Sequence, residues 1–316
     1  MRNLAHPFTP LDQLRAAFGS RLQENMLMAN YTTAHVGGPV DAAVIAQSAE
    51  ELESAVRQLW ALNTSFYLLG SGSNVLVSDA GIRGVVVINR AHTVKIDTHG
   101  AAPNPPTVWA ESGANLSGLA RQLALRGLSG LEWAANVPGS VGGAVYGNAG
   151  AYGMDVKSSL ILAEILHRNE GRQSWACARL EFDYRSSILK REPGQAVVLA
   201  ARFALTTSTR DEVQGRMDSY NAQRRRSQPP GASLGSMFKN PAGDYAGRLI
   251  EAAGLKGTRI GGAQISKLHA NFFVNDQQAS ATDIWKLIEM ARRTVLDKFN
   301  VNLDLEVEML GDWPEG

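Results

Sequence analysis

The residues best suited to chemistry begin with a glycine- and serine-rich loop that follows a predicted strand at residues 65–69. The loop consists of Gly70, Ser71, Gly72, Ser73 and Asn74. Glycines allow several backbone N–H groups to converge on one anion, and the serine hydroxyls supply further donors. A pyrophosphate group suits this loop, although a plain glycine-rich hairpin accounts for the same pattern about equally well.

A second block of small residues covers residues 130–153. Eight of the 31 glycines lie between Gly127 and Gly153, so the density is far above that of the rest of the chain. Backbone without side chains can pack directly against a flat ligand ring, with amides as the polar contacts. Close packing of one element on another requires glycine as well, but for a block of this length we favour ligand contact.

Several common catalytic patterns are missing from the sequence. It contains no G-x-G-x-x-G and no Gly-Lys dipeptide, which argues against a Rossmann fingerprint and a Walker A loop. Its six histidines never pair at i, i+4, so a helical zinc site is not expected. Ser-x-x-Lys occurs at residues 187–190 and 236–239 without the companion motifs of a serine acyl enzyme.

Composition narrows the class of protein further. The 316 residues carry a formal net charge of +1, which argues against a broad nucleic-acid surface. One cysteine cannot form an internal disulfide, so a reducing cytoplasm is the expected location. The longest uncharged run, residues 133–154, contains a proline and six glycines and does not suit a membrane helix.

Hydrophobic patterning predicts how these segments are positioned. The first half alternates short strands with amphipathic helices at residues 49–62 and 115–126, and residues 160–205 are rich in β-type runs. The predicted strands of the first half are residues 40–46, 65–69, 75–77, 85–88, 94–97 and 108–111.

The C-terminal part has a different texture, and we place a domain boundary near residues 206–209. Beyond it we predict helices at residues 211–226, 245–253 and 282–299 and a strand at residues 270–275. Strict alternation of apolar and polar residues predicts a last strand over residues 301–309.

The two glycine-rich blocks, together with other motifs in order, resemble the UDP-N-acetylenolpyruvoylglucosamine reductase family. The resemblance runs over nearly the whole chain and is closest to the shorter branch of the family. The other motifs are Asn30-Tyr31-Thr32-Thr33-Ala34-His35-Val36-Gly37-Gly38-Pro39, Phe182-Asp183-Tyr184-Arg185-Ser186-Ser187, Gly235-Ser236-Met237-Phe238-Lys239-Asn240-Pro241, residues 246–257 and residues 303–307.

The resemblance implies an α+β flavoprotein that holds FAD noncovalently in a two-lobed domain of the vanillyl-alcohol-oxidase type, followed by a C-terminal α+β substrate-binding domain. The implied division is residues 1–90, with an N-terminal helical segment, and 91–206 for the two lobes and 207–316 for the substrate domain. The implied reaction is NADPH-dependent reduction of UDP-N-acetylglucosamine enolpyruvate to UDP-N-acetylmuramate, for peptidoglycan synthesis. No nucleic acid, membrane insertion, metal or obligate protein partner is expected.

The resemblance also assigns roles to residues. It implies that Arg185, Ser236 and Glu306 are catalytic, with Ser236 as the proton donor. It implies cofactor contacts at Gly70, Ser71, Gly72, Ser73, Asn74, Gly139, Ser140, Gly142, Gly143 and Asn148. Substrate contacts are implied at Tyr184, Lys239 and Asn240.

The residue types fit this chemistry, because a guanidinium can hold a carboxylate bidentately while charge develops beside it. Taken singly, each of these residues also suits an ordinary structural role. Arg185 suits a salt bridge at the end of a strand, Ser236 a turn or helix cap, and Glu306 shares its predicted face with Asp304 and Glu308. A flavin oxidase of the same fold, or a nucleotide-binding module without activity, are the alternative functions.

Overall fold

The structure is a computed structural model that describes residues 11–98 and 105–313. Its helices are α1 (Leu11–Phe18), α2 (Ala49–Ala61), α3 (Leu116–Ala124), α4 (Val141–Gly147), α5 (Ile188–Arg191), α6 (Arg210–Ser227), α7 (Ala246–Ala252) and α8 (Ala281–Phe299). Its strands are β1 (Leu22–Leu27), β2 (Pro39–Ala46), β3 (Phe66–Leu69), β4 (Val75–Val77), β5 (Ile82–Asn89), β6 (Val94–Asp97), β7 (Thr107–Glu111), β8 (Leu128–Ser129), β9 (Gly150–Ala151), β10 (Met154–Asp155), β11 (Leu160–His167), β12 (Gly171–Ala176), β13 (Ala196–Ala204), β14 (Thr206–Thr207), β15 (Ala232–Ser236), β16 (Arg259–Ile260), β17 (Ala263–Ile265), β18 (Phe272–Asn275) and β19 (Glu308–Leu310). This mixture of helices and mainly antiparallel sheets confirms the predicted α+β class.

The chain forms two compact units that interleave in sequence. The first consists of Met1–Gln23, Ala42–Ser71 and Gly84–Ala222, and the second of Glu24–Asp41, Gly72–Arg83 and Gln223–Gly316. The loop at residues 70–74 therefore contributes its first two residues to the first unit and the rest to the second. The three-part functional division expected from the sequence remains a prediction.

The sheets differ in strand direction. A five-stranded antiparallel sheet of the first unit has the order β12-β11-β13-β7-β6. In the second unit, β15-β18-β17-β16 are antiparallel, while β19 pairs in parallel with β4. Another sheet, β1-β2-β5-β3, pairs β3 in parallel with β5.

Each unit has its own hydrophobic core. In the first unit the largest cluster is built on Trp133 and Phe203, both buried, and includes much of the glycine-dense block. The core of the second unit packs α8 against α7 and β17, with Leu287, Ile288 and Ile265 at its centre. The predicted apolar face of α8 is therefore the face that becomes buried.

Helices α2 and α3 begin and end close to the residues predicted from local sequence signals. Ser48 begins α2, and its side chain accepts a hydrogen bond from the Glu51 amide. Asn115 begins α3 in the same way through the Gly118 amide, and Gly127 follows the helix with a φ of +66°. These caps need no distant partner, so the sequence is sufficient to predict them.

The predicted strand over residues 301–309 is wrong for most of its length. Only Glu308–Leu310 forms a strand, and Leu305 makes one isolated bridge to Phe238. Alternating burial is nevertheless present, because Leu303 and Val307 lie in the core while Asp304 is exposed. An extended segment can bury every second side chain without entering a ladder, and the sequence pattern does not separate the two cases.

A charged network fixes α6 to the segment after β8. Arg216 bonds the carboxylate of Glu132 at 2.8 Å, and Ser129 and the Gly130 amide donate to the same carboxylate at 2.7 Å each. Burial raises the pKa of Glu132, but the Ser129 hydroxyl, the Gly130 amide and Arg216 outweigh it, so the pKa lies below its ordinary value. The network stabilises the ionised form of a largely buried carboxylate.

Replacing Arg216 with methionine should lower the free energy of unfolding by about 1.5–3 kcal/mol, because Glu132 loses a charged donor. Arg15→Met is the control, since Arg15 forms an exposed pair with Asp12 inside α1 that contributes only about 0.2–0.5 kcal/mol. Denaturant unfolding of both variants measures the difference. Equal losses in the two variants would contradict a structural role for the Arg216 network.

Candidate active-site residues

In the first unit, the Gly70 end of the loop and the turn before α4 lie against each other. A methyl group added at Gly70 would clash with Ser140 Oγ. That hydroxyl begins α4 by accepting a hydrogen bond from the Gly143 amide at 3.3 Å. The two segments predicted to contact the cofactor are therefore adjacent, and Gly70 is needed for that approach.

A third segment, Ser112 to Asn115, accepts backbone hydrogen bonds from the start of α4. Gly142 donates to the Ser112 carbonyl at 2.7 Å, and Val141 donates to the Ala114 carbonyl at 2.9 Å. A methyl group on Gly142 would lie 2.8 Å from Ser112 Cβ. This support was not predicted from the sequence, although the run of small residues after β7 resembles the loop after β3.

Asn89 completes this support from the end of β5. Its amide donates to Ser112 Oγ at 2.7 Å, and its side-chain oxygen accepts from the Ala91 amide at 3.0 Å. Both Asn89 and Ser112 are buried. Gly70, the turn at residues 139–143 and the segment 112–115 thus meet where the backbone carries few side chains. This arrangement fits a dinucleotide, because the phosphates and the flat ring of such a ligand need a close approach to backbone amides.

In the second unit, the remainder of the loop contacts the C-terminal segment. A methyl group on Gly72 would clash with the Tyr31 carbonyl, so this glycine too is needed for close packing. The side chain of Asn74 donates to the Glu306 carbonyl at 3.0 Å, and the Glu308 amide donates to the Asn74 carbonyl at 2.9 Å. The predicted cofactor residue Asn74 therefore holds the backbone of the predicted catalytic Glu306.

Ser236 is the last residue of β15 and follows a bulge. The register between β15 and β18 shifts between Ser233 and Ser236, and Gly235 has a φ of +77°. A bulge with glycine in this conformation redirects the side chain that follows it, and such bulges are frequent beside active sites. The bulge therefore explains why a glycine directly precedes the serine in this motif.

The structure brings the Ser236 and Glu306 segments together. The Glu306 amide donates to the Met237 carbonyl at 2.9 Å, and the Lys239 amide donates to the Asp304 carbonyl at 2.8 Å. The side-chain oxygen of Asn240 accepts from the Ala246 amide at 3.1 Å, at the start of α7. Part of the hydrogen-bonding capacity of Asn240 is thus used inside the protein.

Arg185 belongs to the first unit, at the tip of a tight turn. Asp183 and Ser186 exchange both backbone hydrogen bonds at 3.1 Å, which leaves Tyr184 and Arg185 between them. Arg185 has a φ of +55°, uncommon for a residue with a side chain, and its guanidinium donates to the Gly150 carbonyl at 3.0 Å. Tyr184 is half exposed, with its ring centroid 5.4 Å from the guanidinium carbon.

Asn148 uses its side chain within the protein. Its amide donates to Asp183 O and Asp155 Oδ2, both at 3.1 Å, and its oxygen accepts from the Lys157 amide at 3.1 Å. It also ends α4 in a left-handed conformation. Its backbone N–H also bonds inside the protein, to carbonyls of α4, and the cofactor contact of Asn148 stays a prediction.

The described ranges contain neither a candidate metal cluster nor a candidate membrane span. Within residues 11–98 and 105–313, no group of three or more His, Cys, Asp or Glu side chains is arranged to hold a metal ion. In the same ranges, no helix combines the length and the apolar composition needed to cross a bilayer.

His269 lies near the Ser236 segment, and its pKa is shifted from the ordinary value. Burial, and then the positive charge of Lys256, hold the pKa of His269 below its usual value of 6.5. Its Nδ1 accepts from the Asn271 amide at 3.2 Å. The folded state therefore favours the neutral ring.

Because the unfolded chain protonates this histidine at higher pH than the folded protein does, stability should fall as the pH drops below the unfolded value. The melting temperature of the parent should therefore decrease more between about pH 7.5 and pH 5.5 than that of His269→Gln. Thermal unfolding across this range is the measurement. A variant that loses as many degrees as the parent would exclude this source of acid sensitivity.

Gly70→Ala should weaken retention of the FAD that the resemblance implies, because the added methyl group pushes the loop away from Ser140. Gly215→Ala is the matched control, since Gly215 lies within α6 with no atom in reach of a new methyl group. Flavin absorbance after gel filtration compares the two. Equal flavin content would show that the Gly70 approach does not matter for cofactor binding.

Comparison with known families and structures agrees with these features. Residues 39–172 match the family described as FAD binding domain, and residues 227–310 match the family described as UDP-N-acetylenolpyruvoylglucosamine reductase, C-terminal domain. The first match contains the segments around Gly70 and Ser140, and the second contains Ser236 and Glu306.

Whole-chain relatives give the same result. The UDP-N-acetylenolpyruvoylglucosamine reductase of Chloroflexus aggregans is 45% identical over 92% of this chain and 97% of its own length. The enzyme of the same name from Bacillus subtilis is 38% identical over 95% of this chain and 98% of its own. The crystal structure of the Thermus caldophilus reductase, 34% identical, superposes with a TM-score of 0.76 over 92% of this chain and 99% of that one. The chain belongs to the UDP-N-acetylenolpyruvoylglucosamine reductase family.

Proposed function

We propose that this protein reduces UDP-N-acetylglucosamine enolpyruvate to UDP-N-acetylmuramate, with FAD as cofactor and NADPH as reductant, in peptidoglycan precursor synthesis. Membership of the reductase family over nearly the whole chain carries the proposal. As a member with a matched FAD binding domain, the protein is an FAD-dependent oxidoreductase.

The residues proposed to hold FAD lie in the segments that meet around Gly70 and Ser140 and in the rest of the loop. FAD bound there would supply the redox chemistry, as the carrier of two electrons from NADPH to the substrate. The proposed contacts are Gly70, Ser71, Gly72, Ser73, Asn74, Gly139, Ser140, Gly142, Gly143 and Asn148.

The reaction adds one hydrogen to each carbon of the enolpyruvyl double bond. One hydrogen arrives with both electrons at the methylene carbon, so negative charge develops on the neighbouring carbon and its carboxylate. The second hydrogen must arrive there as a proton. NADPH leaves as NADP⁺, and the protein has to stabilise the charge and supply the proton.

Arg185 is proposed to bind the substrate carboxylate. A guanidinium presents donors in a rigid fork that matches a carboxylate, and it is always charged. Its bond to Gly150 and the tight turn beneath it support a fixed orientation, so little reorganisation is needed as charge develops. Tyr184, beside it in the turn, is proposed as a substrate contact.

Ser236 is proposed to donate the proton from its hydroxyl to the carbon next to the carboxylate. A serine hydroxyl is a weak acid, so the alkoxide that remains needs a neighbouring cation, for which Lys239 is proposed, until water returns the proton. Glu306, on the segment bonded to Met237, is proposed to stabilise or orient the intermediate. Asn240 is proposed as a further substrate contact.

We also propose that the protein acts in the cytoplasm on small molecules alone. The single cysteine and the near-zero net charge support this, since neither an oxidising compartment nor a nucleic-acid partner is indicated. The substrate and NADPH are then its only required partners.

Replacing Ser236 with alanine should leave the reduction of FAD by NADPH nearly unchanged, because that step needs no proton from serine. Transfer to the enolpyruvyl substrate should slow by roughly 10²–10⁴-fold, the usual contribution of a positioned acid. Stopped-flow absorbance measures the two half-reactions separately.

Ser233→Ala is the control for this experiment, since Ser233 lies on the same strand before the bulge. It should leave both half-reactions near the parent rates. A second half-reaction that survives in Ser236→Ala would refute the proton-donor role.

A further inference from the structure

Asn271 is a buried polar residue that no role assigned above requires. The residue is 3% exposed and lies directly before β18. The side-chain oxygen accepts from the Phe238 amide at 2.9 Å, and the side-chain nitrogen donates to the Phe238 carbonyl at 2.8 Å. Its backbone carbonyl accepts from the Met237 amide at 2.8 Å. All these bonds end on the two residues that follow Ser236.

The same segment is held from another side by the C-terminal segment. The Met237 carbonyl accepts from Glu306, and the Lys239 amide donates to Asp304. Residues 237–239 therefore lie between Asn271 and residues 304–306, bonded through backbone groups. The position of the backbone after Ser236 depends on both sets of bonds.

The break in the sheet explains why an asparagine is needed here. Ser236 pairs with Phe272, the first residue of β18, so the ladder ends where Ser236 stands. The Asn271 side chain then takes the place of the next ladder residue, offering one donor and one acceptor to Phe238. A primary amide provides both groups, whereas an ionised carboxylate only accepts and an apolar side chain does neither.

Loss of the hydrogen bonds between Asn271 and Phe238 would displace Ser236. Phe238 is 1% exposed, so its amide and carbonyl cannot turn to water without moving the chain. The bulge and Gly235 sit on the other side of Ser236 and give that side conformational freedom. Movement after Ser236 would therefore be transmitted to its hydroxyl.

We propose that Asn271 is a positioning residue that holds the Ser236 hydroxyl in place for proton donation, acting through the backbone of Met237 and Phe238. This inference rests on the proposed role of Ser236. It assigns to Asn271 no contact with substrate or cofactor.

The test replaces Asn271 with aspartate, which keeps an acceptor for the Phe238 amide and removes the donor to the Phe238 carbonyl. Asn275→Asp is the matched control at the far end of the same strand. Asn275 also holds two backbone groups, donating to the Ala34 carbonyl at 2.8 Å and accepting from the Ala279 amide at 2.7 Å. Both variants thus lose the same kind of bond in the same unit.

Each half-reaction is measured by stopped flow on the FAD-loaded enzyme, in water and in deuterium oxide. In Asn271→Asp, transfer to the enolpyruvyl substrate should slow by roughly 10²-fold, as for a misplaced catalytic group, while reduction by NADPH stays near the parent rate. The solvent isotope effect on transfer to the enolpyruvyl substrate should rise in Asn271→Asp, because proton donation becomes more rate-limiting. Asn275→Asp should change neither half-reaction nor the isotope effect.

The double variant Ser236→Ala/Asn271→Asp separates positioning from general damage. If Asn271 acts through Ser236, then Asn271→Asp should slow the second half-reaction no further once the hydroxyl is absent. Should Asn271→Asp fail to fold, Asn271→Ser and Asn275→Ser replace the pair, with the same expectation.

The outcomes distinguish this inference from the proposed function. A collapse in Ser236→Ala together with full activity in Asn271→Asp overturns the positioning role alone. The positioning role is also overturned if Asn271→Asp slows both half-reactions alike, or if its rates equal those of Asn275→Asp. It is overturned as well if Asn271→Asp slows the second half-reaction further in the Ser236→Ala background. An active Ser236→Ala overturns the proton-donor proposal, and the positioning of that donor with it.

Discussion

The hydrogen bond from the Glu306 amide to the Met237 carbonyl, 2.9 Å long, joins two segments on which the proposed chemistry depends. Neither segment lies inside a continuous ladder. One begins where β15 ends, and the other precedes β19. Backbone groups that leave a sheet must find other partners when they are buried, and here the two segments satisfy each other. The locations of Ser236 and Glu306 are consequently coupled.

The Arg185 turn is held by a comparable arrangement in the first unit. Tyr146, Asn148 and Gly150, alternate residues of the glycine-dense block, bind the turn at Ser187, Asp183 and Arg185 respectively. Arg185 and Asn148 both have left-handed backbone conformations, which cost free energy unless their surroundings fix them. The bonds to α4 and its end provide that restraint. The block that is proposed to contact FAD thus also positions the proposed catalytic arginine.

This double use changes the interpretation of the glycines. Close packing of the chain on itself, the alternative to ligand contact, is what Gly70, Gly72 and Gly142 require, because a methyl group at each would clash with protein atoms. Close packing and ligand contact are compatible. Glycines that let segments approach each other also leave bare backbone at the place where the segments converge, and a dinucleotide needs bare backbone.

The sequence by itself determined the features that depend on neighbours along the chain. The ends of α2 and α3 follow from Ser48 and Asn115, whose side chains bond amides three residues away. The α+β class follows from hydrophobic periodicity, and the order of motifs identified the family and thereby the candidate residues. Periodicity failed at residues 301–309, because alternating burial does not reveal whether an extended segment has a partner strand.

Only the tertiary structure decided which groups support the site. Asn271, Asn89 and Ser112 are buried polar residues whose partners are backbone and hydroxyl groups from other parts of the chain. Such a residue has no periodic signature, since its partner is chosen by strand register and by the point where a ladder ends. The type of a proposed catalytic residue can therefore be read from a motif. The backbone that holds it in place is defined only when distant segments pack together and must satisfy each other's hydrogen bonds away from water.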